Sequence, residues 1–138
     1  MGKDLYRPLI IFSEEDRNAV VNKALDDTNH TFKHIHKDRG EYAMVLKFVN
    51  KELDTVGVVW LYGLDDDEEL GLHMAVYPKY QKRFFSRDLV TFLSSYCWAM
   101  GFERVVVQDE YKDMAIKMGA IENEVGEAMF NLPFEWRK

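Results

Sequence analysis

From Leu70 to Gly101 the hydrophobic pattern changes period once, at Pro78, and that change calls for a strand, a turn and a helix in succession. Leu70 to Tyr77 reads as a strand closed by Pro78, because proline cannot donate to a β-ladder. Phe85, Leu89, Phe92, Leu93, Tyr96, Cys97 and Met100 then recur at helical spacing, with Gly101 where a C-terminal cap belongs. The first amides of such a helix lack intrahelical partners. With the helix dipole they form a site suited to an anion. Lys79, Lys82, Arg83 and Arg87 add four positive charges within nine residues.

The rest of the chain places this unit in an α/β (α+β) domain. Leu9-Ile10-Ile11-Phe12 is an apolar run read as a first strand. Ser13 followed by Glu14, Glu15 and Asp16 is a capped helix start, and Val20, Val21, Ala24 and Leu25 supply the apolar face. Asp26 to Gly40 is polar and holds room for one short further helix. Tyr42–Val49 and Thr55–Tyr62 form a hairpin about Asn50–Asp54, and Leu70–Tyr77 completes a three-stranded meander. After the long helix come a buried strand through Val105-Val106-Val107 and a short helix lined by Tyr111, Met114, Ala115 and Met118 that stops at Gly119. Ala120–Leu132 is a final hairpin turning at Gly126. The expected order is β-α-(α)-β-β-β-α-β-α-β-β, a mixed, mostly antiparallel sheet flanked by helices in one domain spanning residues 1–138.

Composition narrows what such a domain does. With 138 residues and 47% hydrophobic content the chain can bury a core. Its 18 Lys and Arg against 24 Asp and Glu leave a net charge of -6, which argues against general nucleic-acid binding. That balance leaves room for a small anion at the basic cluster of residues 79–87, whose other reading is simply a capped, solvated helix start. One cysteine, Cys97, allows no internal disulfide and fits a reducing compartment. No apolar run reaches membrane-span length, and the start Met1-Gly2-Lys3-Asp4 lacks a secretory h-region. The expectation is a cytoplasmic protein with no membrane partner.

The stretch Val76-Tyr77-Pro78-Lys79-Tyr80-Gln81-Lys82-Arg83-Phe84-Phe85-Ser86-Arg87 resembles motif A of the GNAT acyltransferases, V-x-P-x-[YF]-[QR]-x-x-G-x-[GA] leading into a helix. Val76, Pro78, Tyr80 and Gln81 match in place, and the element order extends the likeness over nearly the whole chain. The resemblance implies acetyl-CoA as co-substrate. Gln81, Lys82, Arg83, Phe84, Phe85, Ser86 and Arg87 would surround its pyrophosphate, and the edge of Met74, Ala75 and Val76 would meet its pantetheine arm. Two positions depart from the motif. Phe84 and Ser86 stand where it has glycines, which let the backbone approach the phosphates. A phenyl ring at 84 could close the cradle, whereas the Ser86 hydroxyl can donate to phosphate. Ala115 also stands where many members carry a tyrosine that protonates the leaving thiolate. These departures, with Gly119-Ala120 closing the short helix, make the chain resemble loosely the GNAT-like proteins of some tailed phages, in which case its place is the host cytoplasm or the virion.

The implied reaction is attack of an amine on the acetyl thioester. A lysine-like amine is protonated near neutral pH, so a base must take its proton. Candidates are His73, within the third meander strand, and Glu69, at its start; each also reads as an ordinary structural residue. A backbone N–H near Met74–Val76 would stabilise the tetrahedral intermediate. On the last helix only Tyr111 is available as general acid, and water can replace it. The alternative is a non-catalytic GNAT-fold binding or structural module that has lost acetyl-CoA. The partners this leaves are an amine-bearing small molecule or protein acceptor, a second copy of the chain, or a host protein.

The remaining features read as structural. His30, His34 and His36 lie near Asp26, Asp27 and Asp38 without a further ligand signature, so no metal is expected; a place over the acceptor site is the other reading. Asp65–Glu69 lacks the spacing of a calcium loop and reads as a solvated turn. Cys97, Trp60 and Trp98 read as core or near-core, and Phe134 and Trp136 sit in an aromatic tail that packs home or meets a partner.

Overall fold

The computed structural model describes residues 6–28, 43–63, 69–80, 84 and 86–134. Its strands are β1 (Arg7–Ile10), β2 (Met44–Val49), β3 (Thr55–Gly63), β4 (Glu69–Val76), β5 (Arg104–Val107), β6 (Ile121–Glu122) and β7 (Ala128–Asn131). The α-helices among the described residues are α1 (Glu14–Asp27), α2 (Arg87–Ala99) and α3 (Lys112–Met118), with 3-10 turns at Pro78–Tyr80 and Asp109–Tyr111. The strands lie in one sheet in the order β1-β2-β3-β4-β5-β7-β6. The sheet is mixed: β1–β2, β2–β3 and β5–β7 pair antiparallel, and β4–β5 pairs parallel. The short β6 adds antiparallel to β7.

The residues divide into two compact units, Met1–Tyr62 with Met74–Phe85, and Gly63–His73 with Ser86–Lys138. In the first, β2 is buried along its length and alternates its side chains between two covered faces. Val45, Val58, Trp60 and Ala75 lie beneath Val21, Ala24 and Leu25 of α1. Ser13 caps that helix by accepting a hydrogen bond from the Asp16 N–H at 3.1 Å, as the sequence predicts. The first strand begins two residues earlier than its apolar run. Pairing with β2 joins Arg7 to Val49 and Ile10 to Leu46, which leaves Phe12 beyond the ladder and exposed. Pro8 is tolerated because β1 is an edge strand.

In the second unit β5 is central, between β4 and β7. The β4–β5 ladder runs from Glu69↔Arg104 to Leu72↔Val107. Helix α2 begins at Arg87, capped by Ser86, and buries Leu89, Val90, Leu93, Ser94 and Cys97. That stripe is narrower than the apolar pattern predicts. Phe92 and Tyr96 stand to one side with ring centroids 5.8 Å apart, and Met100 is exposed. Trp98, read from sequence as near-core, is 47% exposed because it follows the last buried turn at Cys97. The helix ends as expected. Gly101 takes a φ of 96°, and the Phe102 N–H donates back to the Cys97 carbonyl at 3.1 Å. Gly119, at φ 118°, stops α3 in the same way. Among the described residues no helix is long and apolar enough to cross a membrane.

Candidate functional site

Strand β4 carries both candidate bases. Side chains alternate along a strand, so Glu69 and His73 share a face about 13 Å apart and cannot serve the same proton directly. His73 is 8% exposed, and its Nδ1 makes no hydrogen bond among the described residues although the side chain has other interactions. Glu69 is already engaged. Its Oε2 accepts from Arg104 Nε at 2.9 Å, and the two residues face each other in the β4–β5 register. An arginine opposite that carboxylate occupies it with a charge-assisted hydrogen bond. Nothing in the sequence marks Arg104 as part of the site, since parallel neighbours 35 positions apart leave no local pattern.

Met74, Ala75 and Val76 continue β4 as fully buried residues. The chain then leaves the strand under three restraints within the first unit. The Tyr77 N–H donates to the Val56 carbonyl at 3.0 Å. The Tyr77 hydroxyl donates to Asp27 Oδ2 at 2.6 Å, where Lys23 also pairs with the same oxygen at 3.1 Å. The Tyr80 N–H closes the 3-10 turn on the Tyr77 carbonyl at 2.8 Å. The hydrogen bond from Tyr77, followed by that from Lys23, holds the Asp27 carboxyl below its ordinary value. Burial, reinforced by Asp27, pushes the Tyr77 phenol up to about 12, so it remains a neutral donor.

The two positions that depart from the motif have separate resolutions. Phe84 is 2% exposed, and its ring packs edge-on to Phe48 at 5.2 Å between centroids, with Tyr6 stacked beyond it at 6.4 Å. The phenyl group is thus committed to the core. Ser86 has φ -120° and ψ 169°, an extended conformation open to any residue, so no glycine is required there. Its Oγ accepts from the Leu89 N–H at 3.2 Å, which leaves its own hydroxyl hydrogen available to donate outward. Arg87 is the exposed first residue of α2. Gln81, Lys82, Arg83 and Phe85 lie outside the described residues, as do His30, His34, His36 and Trp136. Among the described residues no group of three or more His, Cys, Asp and Glu is arranged to hold a metal ion.

Tyr111 ends the 3-10 turn that leads into α3. Burial, then the neighbouring Glu110, pushes its phenol up to about 12. A phenol that weak is a poorer acid than a thiol with a reference value of about 8.5, so proton transfer from it to a thiolate runs uphill. Ala115 is fully buried on α3. Cys97 is buried too, and burial pushes its thiol up to about 12, which marks it as core rather than nucleophile.

This arrangement, a meander whose last strand turns through Pro78 into a capped helix, followed by a parallel strand and a closing hairpin, is the fold of the GNAT acetyltransferases. The chain superposes on a GNAT family N-acetyltransferase of Escherichia coli, crystallised in complex with CoA, with a TM-score of 0.61 at 16% identity, over 94% of this chain and 82% of that one. A GNAT family acetyltransferase of Staphylococcus aureus matches with a TM-score of 0.65 at 12% identity, over 93% and 99% of the two chains. The spermidine/spermine N-acetyltransferase of Vibrio cholerae matches with a TM-score of 0.59 at 14% identity, over 86% and 79%. No protein-family model and no curated protein matches the sequence. Likeness at these identities establishes the fold.

Proposed function

We propose that the chain is an acyl-CoA-dependent N-acyltransferase acting on an amine. The observation that carries this reading is the β4–turn–α2 unit. Position 86, where the motif has glycine, is an extended N-cap with a hydroxyl to donate, and the Phe84 ring is packed in the core. The residues present therefore suit an acyl-CoA. The Ser86 hydroxyl, the opening turn of α2 and the basic residues Lys82, Arg83 and Arg87 would hold its pyrophosphate, and Met74–Val76 would meet its pantetheine arm. When bound, acyl-CoA supplies an activated thioester carbonyl.

His73 is the favoured base, since Glu69 is tied to Arg104. A neutral imidazole would accept the proton of the incoming ammonium, and a backbone N–H in Met74–Val76 would stabilise the developing oxyanion. Solvent is the favoured proton donor to the leaving thiolate, because Tyr111 is too weak an acid.

Thermal shift with acetyl-CoA tests the first step. A ligand at about a hundred times its Kd stabilises the folded state by about 2.7 kcal/mol, which raises Tm by several degrees. Transfer to a panel of amines, polyamines included, then reads the activity. No shift and no transfer would leave the second reading, a binding module on the same fold, which the burial of Ala115 at the usual acid position favours. Phe84→Gly is unsuited to this test, because losing a buried phenyl costs about 3–5 kcal/mol of stability on its own.

A further inference from the structure

Phe84 is far in sequence from its packing partners, and two of them, Phe48 and Gly57, lie on the β2–β3 hairpin. Phe48 and Gly57 are cross-strand neighbours in its ladder. Glycine inside a strand marks a close approach by another group. The group here is Phe84: a Cβ added to Gly57 would stand 3.2 Å from the ring's Cε1 and 3.3 Å from its Cζ, and 3.2 Å from the Ala75 carbonyl. The Phe48 ring meets Phe84 at 90°, and Tyr6 lies at 20° to it while turning its edge toward Tyr80, 5.9 Å away at 77°. The Tyr80 hydroxyl accepts from Asn50 Nδ2 at 3.2 Å, and Asn50 opens the turn of the same hairpin. Tyr77 is bonded to Val56, the residue before Gly57.

Three points of the segment following β4 are thus fixed to one hairpin: Tyr77 on Val56, Tyr80 on Asn50, and Phe84 on Phe48 and Gly57. The residues between the last two, Gln81-Lys82-Arg83, carry two of the positive charges. We infer that Phe84 is a positioning residue for the segment that follows β4, with Gly57 as its socket: packing of its ring on the hairpin fixes that segment at residue 84, where related motifs use glycine. As a device for seating an acyl-CoA pyrophosphate this rests on the acyltransferase reading; as an anchor for the segment it does not.

The test uses the full chain with Phe84→Leu, Gly57→Ala and the two combined. Amide hydrogen exchange on the free proteins reads the anchor, and acetyl-CoA affinity with KM and kcat reads its consequence. In Phe84→Leu and in Gly57→Ala, exchange at the amides of residues 80–89 should rise about tenfold while α3 and β5–β7 keep their protection. The acetyl-CoA Kd and KM should rise about tenfold with kcat little changed, as expected for lost positioning of the bound group. The combined variant should lose no more than either single variant, because both changes remove the same contact and the smaller leucine makes room for the added methyl. Unchanged exchange at residues 80–89 in folded Phe84→Leu overturns the anchor. Wild-type acetyl-CoA affinity in both single variants overturns its role in binding. Absence of acetyl-CoA binding by the wild-type chain instead removes the acyltransferase reading, and exchange still decides the anchor.

Discussion

Glu69 and Arg104 face each other across the parallel β4–β5 ladder, carboxylate to guanidinium at 2.9 Å, each side chain about a quarter exposed. A pair in that position contributes about 1 kcal/mol, above the worth of a fully exposed one. It also separates the two candidate bases.

If His73 takes the proton, Glu69→Gln should lower Tm by a few degrees and leave kcat within about tenfold, while His73→Ala should lower kcat by about 100- to 10,000-fold. Steady-state rates with acetyl-CoA and an amine, set beside melting curves, check this. Unchanged rates in both variants would remove the mechanism.

Ser86 caps α2 and has a second, proposed role toward acyl-CoA, and substitution can divide the two. Ser86→Ala removes the cap from α2 and should cost about 1 kcal/mol. Ser86→Asp keeps a capping oxygen and suits the helix dipole, so it should melt near the wild type. On the proposed reading it would set a negative charge beside the acyl-CoA pyrophosphate, and it should then weaken acetyl-CoA binding more than Ser86→Ala does. Calorimetry on the two variants reads the difference.

The Tyr77–Asp27 hydrogen bond predicts a pH window. Asp27 is held below its ordinary 3.8, so the stability it adds is present above pH 3.8 and lost as pH falls through the lowered value. Tyr77 is pushed from 10.0 up to about 12, so the stability tied to its neutral phenol is present below pH 10 and lost as pH rises through about 12. The Tm deficit of Tyr77→Phe should be constant between those limits and shrink at both ends. A series of melts across pH measures it, and a flat deficit through both ends would contradict it.

Cys97, with its thiol pushed up to about 12, should resist alkylation at pH 8 in the native protein and react once the chain unfolds. Mass spectrometry after iodoacetamide treatment, with and without denaturant, reports this directly. Rapid native labelling would mean that α2 opens more readily than its buried stripe implies.

Local patterns were legible wherever a property depends on residues close in sequence. The Ser13 cap, the glycine stops at Gly101 and Gly119, the Asn50 turn and the hairpin through Gly126 follow from short-range chemistry, and each is present. Strand β1 starts two residues before the apolar run at Leu9, because apolarity marks a run while pairing with β2 decides which part becomes strand. Trp98 is exposed where the pattern predicts a near-core residue, because helical spacing cannot tell where the covering surface ends.

At the candidate site the division is sharper. The chain's order of residues alone determined the strand, the proline break, the capped helix and the basic charges around them, because periodicity, proline geometry and capping are local. Only the tertiary structure decided that the Phe84 ring packs in the core, that Gly57 is its socket, and that Glu69 is bound to Arg104. Each of those is a contact between residues about 27 to 36 positions apart, set by strand register and side-chain packing, which a linear pattern does not encode.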